Sequence, residues 1–477
     1  LFAFAATAGA KPRKKSKKQK EAAERVKREA AAQWSALSRL VAARTSAPSM
    51  TGGGLGVNTG TQTSVTTSPS SVNAQFSGDP EAANPGPAPA AGTLIISEFR
   101  LRGPNGANDE FIEIYNNSGA DHTVTASSGT GYGVAASDGV LRCTIPNGTV
   151  IPNRGHFLCT NSVGYSYGNY PAGNGTTATG DATYATDIPD NAGIALFNNN
   201  VPVNFTLANR FDAVGSNAEG NSLYKEGAGY PALAVAPPPA PFNIESSFYR
   251  DMCGKGGSIT TLGACTISTP KDTDDNAADF IFVDANGTSA GAGQRLGAPN
   301  PENLSSPIQR NALISNALLD TCSPDASVPN RVRDFTSVPA QNSTFGTIDI
   351  RRTFTNNTGG NVTRLRFHII DLSTFPAPSG FADLRARDSS DVVVTVDRPP
   401  CGVGTSNITV FGTTLEVDNT APSTGQPNGG GFGSTLSAGT VTLGTPLANG
   451  VSIDLHFLMG IQQTGTFKIY VNIEALP

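Results

Sequence analysis

The chain has 477 residues, with 53 Gly and 33 Pro, 7% aromatic residues and a formal net charge of −5. That length suits two or three domains of ~100–200 residues, and the Gly/Pro content suits short strands joined by many turns, with little room for long helices. Residues 11–44 hold 12 Lys/Arg against Glu21, Glu24 and Glu29, leaving 21 basic and 35 acidic residues, net −14, elsewhere; a body so charged has no general field for nucleic acid.

"LFAFAATAGA" (1–10) reads as the end of a signal-peptide apolar region with small residues near a cleavage point. No run approaches the ~20 apolar residues that span a bilayer. Residues 11–44 read as a basic amphipathic helix, with Val26, Ala30, Trp34, Leu37 and Val41 on one stripe and cations opposite. Such a helix suits attachment to an anionic lipid or polymer surface, or serves only as a solvated leader. Residues 45–92, rich in Gly, Ser, Thr, Pro and Ala, read as a low-complexity linker with too little apolar surface to order itself.

From 93 to 303 short turn-bounded strands follow one another: "TLIISEFRL", "DEFIEIYNN", "GYGVAAS", "VLRCTI", "GHFLCTN", "GIALFN", "RFDAVG", "NSLYKEG", "SSFYRDM" and "ADFIFVD". Strands of this length and spacing predict a β-sandwich. The Pro-rich stretch 231–242 interrupts them as a surface loop. Residues 304–329 read as a linker. A second β region, 330–477, ends in "GTFKIYVNIEAL", where Phe467, Ile469, Val471 and Ile473 alternate with polar or bulky neighbours. The expected fold class is therefore all-β, two immunoglobulin-like sandwich domains preceded by a basic helix and a disordered linker. "YNNSG" (115–119) and "TNNTG" (355–359) repeat an Asn-Asn-x-Gly corner between strands, for which the αL tolerance of Asn and Gly suffices.

The six cysteines, Cys143, Cys159, Cys253, Cys265, Cys322 and Cys401, include no CxxC pair and no His at zinc-ligand spacing. An even set in a turn-rich chain reads as three disulfides. Sequential pairing, 143–159, 253–265 and 322–401, is the simplest of the 15 connectivities open to six cysteines, and it implies an oxidising compartment.

At "LIISEFRLRGPNGANDEFIEIYNNSG" (94–119) the chain resembles the lamin tail domain of secreted bacterial proteins: a strand ending in Ser-Glu, a Gly/Asn loop, then Asp-Glu-Phe-x-Glu-x-Tyr-Asn. "GIALFN" (193–198), "RFDAVGSN" (210–217), "SSFYR" (246–250), "DTDDNAADF" (272–280) and "LGAPNPEN" (296–303) follow in that family's order, so the resemblance covers about 93–303. It implies an immunoglobulin-like sandwich with no catalytic residues. The chromatin contacts of the animal members do not carry over to an acidic, exported chain. The C-terminal region resembles the tails of other exported bacterial proteins of unassigned function.

Around Phe111 the acids Asp109, Glu110 and Glu113 crowd a short apolar strand. If residue numbers across the hairpin sum to 211, Glu98 faces Glu113, and the two charges must be separated, protonated or bridged by a cation. An even sum instead sets Glu98 on the apolar face with Leu94 and Ile96. Scaffolding is the expected role of these acids. "KDTDDNAADF" offers oxygen ligands at Asp272, Asp274, Asn276 and Asp279, a pattern that suits Ca²⁺ but lacks the Gly and the terminal acid of an EF-hand loop; a polar turn explains it equally well. "GTSAG" (287–291) matches a nucleophile elbow without the helix that should follow, "GGGLGVNTG" (52–60) follows no strand, and His122, His156, His368 and His456 are scattered with no HExxH spacing.

These observations favour a secreted or cell-envelope, non-enzymatic structural, adhesive or assembly module with no cofactor, whose partner is a protein or a cell-surface polymer or a second copy. Two alternatives stand beside it: the accessory part of an exported nuclease or phosphatase, and a calcium-stabilised module that binds carbohydrate or protein.

Overall fold

Alternation with period two carries apolar residues into two cores. In a computed structural model, which describes residues 72–76, 92–168, 178–232, 245–252, 270–285, 295–373, 383–416, 430–465 and 467–477, the regular structure of the described residues is mostly β-strand, with a few short helical turns. The segments read as an apolar leader (1–10) and a basic helix (11–44), together with Cys253, Cys265, "GGGLGVNTG" and "GTSAG", lie outside the described residues. Among the described residues no helix is long and apolar enough to cross a membrane.

The first core lies between two sheets. One has seven strands in the order Arg295–Leu296, Phe280–Asp284, Ser246–Arg250, Leu94–Arg100, Phe111–Asn116, His156–Asn161 and Ala182–Tyr184. The other has four: Arg210–Val214, Ile194–Phe197, Gly131–Ala136 and Leu141–Pro146. Leu94, Ile96, Phe99, Ile112, Ile114 and Phe157 of the larger sheet meet Val134, Ile145, Ile194, Leu196 and Val214 of the smaller in one buried cluster. Cys143 and Cys159 join the two sheets through this core, with Cα atoms 6.1 Å apart. The bridge therefore spans layers instead of linking neighbouring strands.

The second core is made the same way. Thr347–Asn356, Ser452–Gln463, Asp383–Arg387, Ile314–Leu318 and Arg331–Asp334 form one sheet; Phe467–Leu476, Arg364–Leu372, Thr435–Ser437, Thr414–Glu416, Ile308–Gln309 and Val72–Phe76 form the other. Phe467, Ile469, Val471 and Ile473 point into the shared core, as their alternation requires, and Phe354, Phe367 and Phe457 pack with ring centroids 4.7–5.9 Å apart. Burying each such ring contributes roughly 1.5–3 kcal/mol. Cys322 and Cys401 tie the turn after Leu319 to the Val392–Asp397/Thr405–Val410 hairpin.

Both Asn-Asn-x-Gly corners are built on the same plan. The buried Asn116 amide donates to Ala120 O, Ile151 O and Pro152 O and accepts from Ser118, while Asn356 donates to Gly360 O and Leu447 O and accepts from Thr358. Gly119 and Gly359 follow with φ of +82° and +87°.

Several expectations need correction. The 304–329 segment is no simple linker, because Ile308–Gln309 pairs with Phe467–Leu476 and Ile314–Leu318 with Thr347–Asn356. Within the 45–92 stretch, Val72–Phe76 pairs in parallel with Phe467–Val471. "NSLYKEG" holds a 3-10 turn at Ser222–Tyr224, capped by the Asn221 side chain, in place of a strand. Val65–Pro477 forms one compact unit.

Replacing Cys143 and Cys159 together by Ala is expected to cost about 3 kcal/mol through restored unfolded-chain freedom. Equilibrium denaturation without reductant, comparing the variant with the wild type while Cys322–Cys401 stays intact in both, measures it.

Candidate functional site

Ser97 decides where the acids go. Residues pair Leu94↔Asn116 through Ile96↔Ile114 with sums of 210, then Glu98↔Glu113 through Arg100↔Phe111 with sums of 211, so the strand carries a bulge at Ser97. Both registers considered from the sequence are present, one on each side of the bulge. Without it, Glu98 would follow Leu94 and Ile96 into the apolar core; the extra residue turns it to the opposite face.

The bulge is held by an ion pair. Ile96 N donates to Asp212 Oδ2 at 2.6 Å, Arg250 Nε donates to Ile96 O at 2.9 Å, and Arg250 Nη2 meets Asp212 Oδ2 at 2.5 Å. Arg250 also stacks on Phe280 and reaches Asp272 at 3.3 Å and Asp279 at 3.5 Å.

This network disposes of the four expected calcium ligands. Asp272 and Asp279 face the Arg250 guanidinium, and Asp279 also accepts from Thr273 N and Oγ1. Asn276 turns away, its carbonyl accepting from Gly215 N and Glu226 N and its amide donating to Ala213 O. Asp274 sits at φ +55° in an exposed turn, and Asp275 caps the short helix Asn276–Asp279. The four do not converge on one point; an arginine holds the place proposed for the ion.

The acids of "DEFIEIY", expected to scaffold, are all three buried. Asp109 pairs with Arg100 and accepts from Asn105 N and Ser166 N, each at 3.0 Å. Gly103 is required beside that pair, since a Cβ there would lie 2.6 Å from Asp109 Oδ2 and 2.7 Å from Arg100 Cζ. Glu110 accepts from Asn161 Nδ2 and Ile188 N, and burial pushes its carboxyl up to about 8. These two acids are structural clamps.

Glu113 is different. With Ser97, Tyr115, His156 and Tyr249 of the seven-stranded sheet it lines a cavity of about 60 Å³, closed from the other side by Glu302, His368, Asn472 and Glu474. A volume of that size holds an ion or a few waters and falls well short of the ~300–1,000 Å³ of an organic-ligand pocket. Two of the four scattered histidines thus meet here, 212 positions apart in the chain.

The polar contacts run in a chain. Ser247 Oγ donates to Glu98 Oε1 at 2.5 Å, and Asn300 N donates to the same carboxylate at 3.2 Å. Ser97 Oγ donates to Glu113 Oε1 at 2.5 Å, and Glu302 N donates to Glu113 Oε2 at 2.7 Å. His156 Nε2 lies 3.2 Å from Glu302 Oε2 and 3.7 Å from Glu113 Oε1. Arg366 pairs with Glu302 and, at 2.5 Å, with Glu474, which meets His368 Nδ1 at 3.0 Å.

The electrostatics follow from burial. Burial, then the facing Glu113 charge, holds the Glu98 carboxyl well above its usual range, and burial pushes Glu113 up to about 8. Burial pulls His156 down to about 3, leaving a neutral imidazole. Glu474 is also pushed up by burial, but the Arg366 guanidinium and His368 outweigh that and hold it below its ordinary value. The Ser97 hydroxyl donates to a carboxylate and not to an imidazole, so this is not the arrangement that activates a serine nucleophile.

Comparison with family models, with curated proteins and with solved structures finds no match. Sequence reading found Glu98 and Glu113 but missed His156, Glu302, Arg366, His368 and Glu474. The only local sign was polar residues at alternate positions of otherwise apolar strands, which ordinarily marks a solvent face.

Two outcomes are expected. Arg250→Met, which leaves Asp212 buried without its partner, should cost about 3–5 kcal/mol in denaturant unfolding. Glu113, whose value rises from an ordinary 4.5 to about 8, keeps its proton in the fold after the unfolded chain has lost it, so it lowers stability as pH rises between those values. His156, lowered from 6.5 to about 3, acts oppositely below 6.5. From pH 6.5 to 8, in chelator, stability should therefore fall by at most about 1.4 kcal/mol per pH unit per proton, with Glu110 contributing in the same direction, and Glu113→Gln should remove part of that fall; an unchanged slope in the variant would contradict the assignment.

Proposed function

We propose that the protein is a non-catalytic structural or assembly module of the cell exterior, two immunoglobulin-like β-sandwiches of which the first belongs with lamin tail domains, joined face to face into a stiff unit. The observation that carries this reading is the Cys143–Cys159 bridge, fully buried between the layers of the first core. A core built around a disulfide suits an oxidising compartment. The second bridge, Cys322–Cys401, secures a surface hairpin in the same way.

The joint between the halves supports stiffness. Glu302–Arg366–Glu474 and the apolar contact of Tyr249, Ile281, Val283 and Phe432 lie on the same outer face. Desolvated ion pairs of this kind fix geometry more than they add net stability. The partner proposed is a protein or cell-surface polymer, or a second copy of the chain. The reading as accessory part of an exported hydrolase shares the compartment and differs only in the company the module keeps.

Fractionation of cells producing the full chain, followed by thiol titration of the denatured protein without reductant, tests the proposal. Recovery in the medium or envelope with no reactive thiol is expected. Recovery in the cytoplasm with Cys143 and Cys159 reduced would overturn it.

A further inference from the structure

The cavity between the halves contains a donor set that no ion pair or hydrogen bond in it fully explains. One ligand atom from each of Glu113, His156 and Glu302 lies within 4.8 Å of the other two, and all three residues are buried. The contacts already described set His156 Nε2 at 3.2 Å from Glu302 Oε2 and 3.7 Å from Glu113 Oε1. Ligands bonded at ~2.0–2.2 Å to a tetrahedral ion stand about 3.3–3.6 Å apart, so these spacings need only small adjustment.

We propose that Glu113, His156 and Glu302 bind one divalent transition-metal ion, of the zinc, cobalt or manganese class, at the junction of the two sheet pairs. An imidazole with two carboxylates suits that class, whereas Ca²⁺ prefers six or more oxygens. Burial keeps His156 neutral, as a metal ligand must be.

A second observation points to the same place. Asn300 is 1% exposed and lines the cavity, yet neither its amide nitrogen nor its amide oxygen has a hydrogen-bond partner. Two orphaned amide atoms buried at that depth are costly. Three protein ligands leave a coordination position for water, and a water held there is the partner Asn300 lacks.

The surrounding groups orient the ligands. Ser97 Oγ donates to Glu113 Oε1, and Arg366 holds the Glu302 oxygen that faces away from His156. Such outer partners fix ligand direction. Glu302, His368 and Glu474 form a second grouping of similar spacing, but the Arg366 guanidinium pairs with both of its carboxylates and supplies the positive charge there. A third grouping among the described residues, Asp212, Glu226 and Asp272, has Arg250 on two of its carboxylates, so the junction is the place for one ion.

The test uses the full chain, dialysed against chelator and kept non-reducing so that no thiol competes. Titration with Zn²⁺ should end at one equivalent and raise Tm; Co²⁺ should give a visible d–d band. His156→Asn should abolish the band and the equivalent while circular dichroism shows a folded chain, Ser97→Ala should weaken Zn²⁺ by about 10–100-fold, and His368→Gln should keep the full equivalent. If His156→Asn does not fold, the Co²⁺-loaded wild type decides: paramagnetically shifted His156 imidazole resonances support the site, and unshifted ones overturn it. Absence of a bound equivalent in the wild type, or binding that survives His156→Asn unweakened, also overturns it.

Discussion

The Arg250–Asp212 ion pair, together with the Ile96 backbone it clasps, is the constraint on which the polar architecture depends. Next to the bulge, the Ile96 donor and acceptor lie past the last ladder pair with Ser246–Arg250, and burying them unmatched would be costly. Asp212 takes the donor and Arg250 the acceptor, so Ser97 can be the extra residue. Everything downstream follows from that one-residue step: Leu94 and Ile96 stay inside, Phe99 and Leu101 return inside, and Glu98 is thrown to the opposite face beside Glu113.

That opposite face is not a surface. The second sheet pair covers it, bringing Arg366, His368, Asn472 and Glu474 from two strands whose other faces fill the second core. Each strand at the junction thus serves two environments, apolar on one side and ionised or hydrogen-bonded on the other. Carboxylates buried in this way raise their affinity for protons or recruit a cation. Glu302 and Glu474 have Arg366; Glu98 and Glu113 have hydroxyl and backbone donors, a neutral imidazole, and the cavity beside them.

Much of the fold was legible in the sequence, and the missing part has a single physical origin. Strands such as Phe111–Asn116 and Phe467–Leu476 announce themselves by alternation, turns by Gly and Asn, and two disulfides by order along the chain. Alternation tells which residues face the core, but it says nothing of what covers the other side. Nothing in the sequence therefore marks Glu113 and Glu474 as covered, although both are buried. The Asp272–Asp279 loop misled for a related reason: oxygen spacing along a sequence does not reveal an arginine arriving from another strand to neutralise it. Ile308–Gln309 and Ile314–Leu318 were read as linker because short segments that complete another sheet's edge carry no periodicity of their own.

The central claim is that the two sheet pairs are welded through this buried polar face into one cooperative body. Native-state hydrogen exchange measures that directly, by comparing the slowest amides of Leu94–Arg100 and Phe111–Asn116 with those of Arg364–Leu372 and Phe467–Leu476. The account predicts one common opening free energy for all four strands, falling together when Arg366 is replaced by Met. Two distinct free energies, with the first pair of strands indifferent to that replacement, would contradict it.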